Sequence, residues 1–334
     1  MQLLRKLLFP FSILYGSLVW FRNKLYDWNI KSSKNYDFPV ICVGNLSVGG
    51  TGKSPMIEYL IELLKDDFRI ANLSRGYKRT SSGFYVLKGN EKATLTGDEP
   101  LQFKRKFPAI EVAVHENRQA GIRGLRDLPK PPEVILLDDA FQHRKVEAGL
   151  NILLTSYGNL FCNDFMLPTG NLREPKAGAK RAQIIIVTKC PENLSANQQN
   201  KIKEQLKLDT KQKIYFSRIV YDKHVYNEND RIPLENFQEF TLITGIANPK
   251  PLVDFLKKKE LKFNHLAFPD HHNFNAQEIE RLSKVEKILT TEKDFMRLKG
   301  SIPKEKLFYI PIKTAFLQDG EKLNKQLTTF VNEF

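Results

Sequence analysis

Val43-Gly-Asn-Leu-Ser-Val-Gly-Gly-Thr-Gly-Lys-Ser-Pro55 decides the fold. It follows a short apolar run, Pro39-Val-Ile-Cys-Val-Gly44, that reads as a buried strand, and it opens a helical pattern, Ser54 to Lys65. Pro55 suits a first helical turn. Strand, glycine-rich loop and helix in that order form a phosphate-binding loop: glycines let successive N–H groups turn toward phosphate oxygens, and the helix N-terminus adds its positive dipole. Gly52, Lys53 and Ser54 match the end of the P-loop pattern, while Ser47 stands where the strict pattern has its opening glycine. Lys53 is expected on the β- and γ-phosphates and Ser54 on Mg²⁺.

Downstream, Val134-Ile-Leu-Leu-Asp138-Asp139 is an apolar strand ending in carboxylates, the form of a metal-supporting partner to the loop. Further continuous apolar runs, Arg69 to Leu73, Ala109 to Val114, Asn151 to Thr155, Ile184 to Thr188, Thr241 to Thr244 and Lys287 to Thr290, suit parallel strands covered on both faces. With helices between them they predict an open α/β fold. A new strand series begins after Glu147 to Leu150, which sets an expected domain boundary there. The Gly-, Pro- and Asn-rich stretch Tyr157 to Ala182 reads as a functional loop.

In 334 residues, Lys and Arg (52) outnumber Asp and Glu (38), a net +14 that points to an anionic partner. Cys42, Cys162 and Cys190 are widely spaced and fit neither a disulfide framework nor a zinc site. The apolar segment Leu7 to Phe21, flanked by Arg5, Lys6, Arg22 and Lys24, is shorter than the roughly 20 residues that a membrane-spanning helix needs. It suits a helix lying in the headgroup layer of an anionic membrane surface, with Trp20 and Trp28 as anchors; a helix packed on its own domain is the alternative.

Two acid-bearing clusters stand out. Thr96-Gly-Asp98-Glu99-Pro100 sets two acids in a glycine-proline bend, where either could accept a proton from a hydroxyl. Phe268-Pro-Asp270-His271-His272-Asn273-Phe274 places imidazoles beside an acid, for helix capping or for a proton relay.

Taken in order, Val43 to Pro55, Ser74-Arg-Gly-Tyr77, Gly97-Asp-Glu-Pro100, Leu137-Asp-Asp-Ala-Phe-Gln-His-Arg144, Asn171-Leu-Arg-Glu-Pro175 and Phe268-Pro-Asp-His271 resemble the tetraacyldisaccharide 4′-kinase family of lipid A biosynthesis. The Thr291-Glu-Lys-Asp294 stretch fits as well. The resemblance implies an α/β P-loop NTPase-like α/β/α sandwich with a second, smaller α/β/α domain and a two-stranded hinge. The expected division is residues 1–148, including a membrane-docking segment to about 28, then 149–313, with a last helix at about 314–334 returning to the first domain. It implies transfer of the γ-phosphoryl of ATP to the 4′-hydroxyl of a tetraacyldisaccharide 1-phosphate, giving lipid IVA. Asp98 would be the base and His271 its dyad partner. Ser47, Val48, Gly49, Gly50, Thr51, Gly52, Lys53 and Ser54 would hold the nucleotide, with Gln142 and Arg173 beside it, and Ser54, Asp138, Asp139 and Glu174 would line the Mg²⁺ region. The implied location is the cytoplasmic face of the inner membrane, peripheral or monotopic, on an anionic surface. Nucleic acid and an obligate protein partner are not expected.

A rival reading is a P-loop ATPase, membrane-associated or nucleic-acid-binding. The membrane-targeting Gly-Gly class of these carries a signature Lys where Val48 stands, and no polymer-recognition motif is visible.

Overall fold

The computed structural model describes residues 5–270 and 272–334. In chain order its main elements begin with α1 (Phe9–Asp27), β1 (Val40–Asn45), α2 (Lys53–Leu64), β2 (Ile70–Ser74), β3 (Tyr85–Val86), α3 (Ala93–Thr96) and α4 (Asp98–Lys106). There follow β4 (Glu111–Val114), α5 (Arg118–Arg126), β5 (Val134–Asp138), β6 (Leu150–Ser156), β7 (Ile184–Thr188), α6 (Ala196–Leu206) and β8 (Lys213–Tyr221). Next are β9 (His224–Tyr226), β10 (Arg231–Pro233), β11 (Phe240–Thr244), α7 (Lys250–Lys258), β12 (Phe263–Ala267), α8 (Ala276–Ser283), β13 (Ile288–Thr291) and α9 (Glu292–Leu298). The chain closes with β14 (Leu307–Ile310), β15 (Ile312–Phe316) and α10 (Gly320–Asn332).

Among the described residues these strands form two sheets. The larger has nine strands in the order β15-β8-β7-β6-β1-β5-β2-β4-β3, parallel from β8 to β4 with antiparallel edges. Every residue of β1, β2, β5 and β7 is buried, because both faces are covered. Alternation along β1 shows the two layers. Ile41 and Val43 pack with Leu60 and Ile61 of α2 and with Leu323 and Leu327 of α10. Val40 and Cys42 face the opposite core, with Ile122 and Leu125 of α5. Each fully buried Leu or Ile contributes about 1.5–3 kcal/mol relative to exposure. The phosphate loop leaves β1 where the strand order turns, β5 lying on one side and β6 on the other, and open α/β sheets bind ligands at such a point.

The smaller sheet, β10-β9-β14-β13-β11-β12, spans His224 to Ile310 and has its own cores on both faces. The chain enters it after β8 and leaves through Pro311 into β15. These two crossings pair antiparallel, Ile312 opposite Tyr221 through Phe316 opposite Ser217. The two-stranded connection and the P-loop NTPase-like α/β fold are therefore both present. The expected boundary near residue 148 needs correction: β6, β7 and β8 lie beyond it, yet they join the larger sheet, β6 directly against β1. Apolar runs announce strands without saying which sheet they enter.

Candidate active site

The loop's geometry follows from its glycines and its neighbours. Gly49 and Gly52 have φ of +104° and +91°, the left-handed region that favours glycine, and Gly52 caps α2. Asn45 at the end of β1 donates to the Thr51 hydroxyl at 2.7 Å, and the Thr188 hydroxyl at the end of β7 donates to the Thr51 carbonyl at 2.7 Å. Val48 N–H donates to the Asn171 carbonyl at 2.8 Å, and buried Ser47 bridges to Leu172. The loop is thus clamped from three sides around the first turn of α2, where Lys53 and Ser54 stand.

Asp138 and Asp139 end β5 beside it and behave differently. Asp139 accepts from Arg173 at 2.7 and 3.2 Å and lies 3.7 Å from Lys53 Nζ; burial alone would raise its pKa, but Arg173 and Lys53 hold it below the usual range. Asp138 is 3% exposed, and burial, with Glu99 and Asp139 nearby, pushes its carboxyl up to about 7. Its Oδ1 is buried with no hydrogen-bond partner. A buried carboxylate oxygen without a partner near the P-loop serine fits a hard cation. No group of three His, Cys, Asp or Glu among the described residues could cage an ion alone. A Mg²⁺ carried in on a nucleotide would need only part of its ligands from the protein, and Ser54 and Asp138 are the residues that would supply them.

Gly97, at φ +97°, breaks α3 from α4, so Asp98 and Glu99 form the first turn of α4, where the helix dipole favours carboxylates. The expected bend is therefore a helix start. Glu99 Oε1 accepts the Ser54 hydroxyl at 2.8 Å and Lys293 Nζ at 2.5 Å. Asp98 Oδ2 accepts Arg297 Nη2 at 2.7 Å and Nε at 3.0 Å. Both cations come from α9, on the smaller sheet, and the sequence reading assigned neither of them. Their spacing, three residues intervening on one helix, was the signal available. His271, expected beside Asp98, lies outside the described residues; its neighbour His272 pairs with Glu278 at 2.9 Å.

Other expected residues fall in different settings. Gln142 Nε2 donates to the Asn45 carbonyl and to Glu174, both in reach of the loop's root. Arg173 bonds Asn45 as well as Asp139. Glu174 is fully buried and accepts from Arg181, Gln142 and Asn23. Those donors saturate the carboxylate, so the structure sets Glu174 as a packing anchor beneath the site and not in the Mg²⁺ region expected of it. Of the basic residues near Ser74, Arg79 is spent on Glu116 and the Gly83 carbonyl, whereas Arg75 and Lys78 are exposed.

The family model for tetraacyldisaccharide-1-P 4′-kinase matches residues 4–332. The chain belongs to this family. Among its relatives, the tetraacyldisaccharide 4′-kinase of Flavobacterium johnsoniae is 49% identical, with 100% of this chain and 99% of the relative covered. That of Phocaeicola vulgatus is 42% identical, covering 99% and 96%. The crystal structure of the "apo" form of LpxK from Aquifex aeolicus in complex with ATP is similar, with a TM-score of 0.79 and 33% identity over 98% of this chain and 99% of that one. The match to a tetraacyldisaccharide 4′-kinase family over nearly the whole length makes the chain a kinase of the P-loop type, and the loop, Asp138 and the acids of α4 are the parts of it that face one another.

Proposed function

We propose that this protein transfers the γ-phosphoryl of ATP to the 4′-hydroxyl of a tetraacyldisaccharide 1-phosphate. The bond from γ-phosphorus to the β,γ-bridging oxygen breaks, a bond to the 4′-oxygen forms, the hydroxyl proton passes to Asp98, and ADP leaves. The observation that supports this reading is the contact of Ser54 with Glu99, which ties the first turn of α4, where Asp98 also stands, to the head of the phosphate loop. Phosphoryl transfer asks for positioning and charge neutralisation more than covalent help. The loop N–H groups and Lys53 would hold phosphates, Ser54 and Asp138 would hold Mg²⁺, and Arg297 fixes Asp98. Bound Mg²⁺ supplies positive charge across the phosphate oxygens.

The membrane half of the proposal rests on α1. No described helix is long and apolar enough to cross a membrane. The buried residues of α1 are the polar ones, Ser12 and Asn23, while Phe11, Ile13, Leu14, Leu18, Trp20 and Phe21 are exposed. This inverts the usual surface helix, whose apolar stripe faces the core. An outward apolar face with Lys24 near its C-terminal end suits docking at an anionic headgroup layer, here the cytoplasmic face of the inner membrane, where the acyl chains of the acceptor remain. The test is phosphoryl transfer from ATP with Mg²⁺ to the lipid acceptor in mixed micelles, wild type beside Asp98→Ala. Product from the first and little from the second supports the reading. ATP hydrolysis without lipid phosphorylation, by folded protein, overturns it in favour of an ATPase.

A further inference from the structure

Lys293 and Arg297 reach adjacent acids, but the two contacts differ. Arg297 also donates to Asp294 at 2.8 Å and to the Gly245 carbonyl at 3.3 Å, so its guanidinium is tied within the smaller unit as well as to Asp98. Lys293 extends its ammonium to Glu99 Oε1, the same oxygen that accepts the Ser54 hydroxyl. Its charge therefore stands one shared acceptor atom from the hydroxyl at the head of the phosphate loop, and within the electrostatic reach of Asp138.

Three ammonium groups meet at this loop. Lys53 lies by Asp139, Lys189 donates to the Gly50 carbonyl at 2.5 Å, and Lys293 arrives from the other sheet. Burial, and then Lys293 and Lys53, push the Lys189 pKa down, so Lys189 feels the positive charge of both. Like charges converging on one point are costly unless an anion sits between them. Lys53 answers Asp139 and Lys189 answers the loop backbone. Glu99, by contrast, is shared by two donors, so Lys293 can exchange part of its bond without leaving that carboxylate unsatisfied.

We propose that Lys293 is a catalytic residue that contacts the terminal phosphoryl group of the bound nucleotide, a cation supplied to the phosphate loop from the smaller sheet's unit. This rests on the reading of ATP as phosphoryl donor. The role is that of a positive group meeting the charge that spreads over the transferred phosphoryl oxygens. It makes the site complete only where α9 is docked on α4, and it gives the smaller unit a direct part in the chemistry.

The test measures nucleotide affinity without acceptor, by displacement of a fluorescent nucleotide from the full chain in the presence of Mg²⁺. Wild type, Lys293→Met, Lys293→Arg and the double variant Glu99→Gln/Lys293→Met are compared for ATP and for ADP. A charged contact to the terminal phosphoryl predicts that Lys293→Met weakens ATP by about 10-fold or more while ADP changes less than about 2-fold. Lys293→Arg should restore part of the difference. Equal weakening of both nucleotides, or of neither, overturns the proposal. So does recovery of the ATP preference in the double variant, since Lys293 would then only neutralise Glu99. Lys293→Gln carries the same comparison if the Met variant does not fold. A folded wild type that binds neither nucleotide sinks the ATP reading itself and this proposal with it.

Discussion

Arg297 closes on Asp98 with two nitrogens on a single oxygen, Nη2 at 2.7 Å and Nε at 3.0 Å, across a boundary between two sheets. Nearly 200 residues separate the pair in sequence, yet Arg297 is 7% exposed and further pinned by Asp294. A guanidinium so fixed sets the orientation of the carboxylate it holds. Asp98→Asn keeps the shape and removes the proton acceptor, and kcat should fall about 10²- to 10⁴-fold with ATP affinity unchanged. Arg297→Lys should lose less than Arg297→Met. An equal loss in kcat and in ATP binding for Asp98→Asn would assign it to the nucleotide instead.

Lys53 and Asp138 test the phosphate end. Lys53→Met should remove turnover and weaken ATP, while circular dichroism and melting stay close to wild type, because the side chain is on the loop and not in a core. Asp138→Asn should raise the Mg²⁺ concentration needed for half-maximal rate, since it takes away the buried oxygen that lacks a partner. An unchanged Mg²⁺ requirement would move the ion elsewhere.

His143 predicts a pH dependence of stability. Burial, followed by Arg118, Lys145 and other cations, pushes its imidazole down to about 4 from 6.5, and Nε2 accepts from the Arg118 N–H at 3.4 Å, as a neutral ring does. Between those two values the unfolded chain takes up a proton that the fold refuses, so stability falls as pH drops from about 6.5 toward 4. His143→Gln removes this slope. The variant should gain on wild type in melting temperature at about pH 4.5 relative to about pH 7.5. A difference constant with pH would show that the ring takes up its proton in the fold as readily as in the unfolded chain.

Glu174 predicts a large structural cost. Its carboxylate holds Arg181 at 2.9 and 3.0 Å and takes bonds from Gln142 and Asn23, with no exposure at all. Glu174→Ala leaves Arg181 without its buried partner and should cost about 3–5 kcal/mol in denaturant unfolding. A loss below about 1 kcal/mol, of the size found for surface pairs, would mean that water replaces the carboxylate.

The outward face of α1 can be tested without removing the helix. Leu14, Leu18 and Phe21 are 61, 62 and 52% exposed. Leu14→Glu/Leu18→Glu/Phe21→Glu should abolish sedimentation with anionic vesicles while leaving the melting temperature near that of wild type. Deleting the helix is a poorer test, because Arg22 and Asn23 bond Gln142 and Glu174 at the base of the site. Sedimentation retained by the triple variant would place the membrane contact elsewhere.

What the sequence discloses follows from how local each signal is. The buried parallel strands were legible because unbroken apolar runs such as Val134 to Leu137 need no distant information, and the loop because its chemistry is contiguous. The boundary was misplaced because β6 returns to pair with β1 from the far side, a choice of partner that no local run encodes. Asp98 and Glu99 were legible as acids, but their cations were not: Lys293 and Arg297 look like an ordinary charged helix face until α9 is laid on α4. The inward polarity of α1 was hidden for the same reason, since nothing local tells that Ser12 and Asn23 turn inward until Thr169 and Glu174 are seen to receive them.

Those inward anchors have a consequence for how substrate is found. Asn23 meets Glu174, Glu174 meets Gln142, and Gln142 meets the carbonyl of Asn45 at the root of the phosphate loop. The helix and the loop are therefore held at a fixed separation by a continuous chain of hydrogen bonds. An enzyme seated on a bilayer through α1 would keep its reaction centre at one height above the surface and search for acceptor by lateral diffusion. Its rate would then follow the mole fraction of acceptor in the membrane and be indifferent to dilution of the vesicles in bulk.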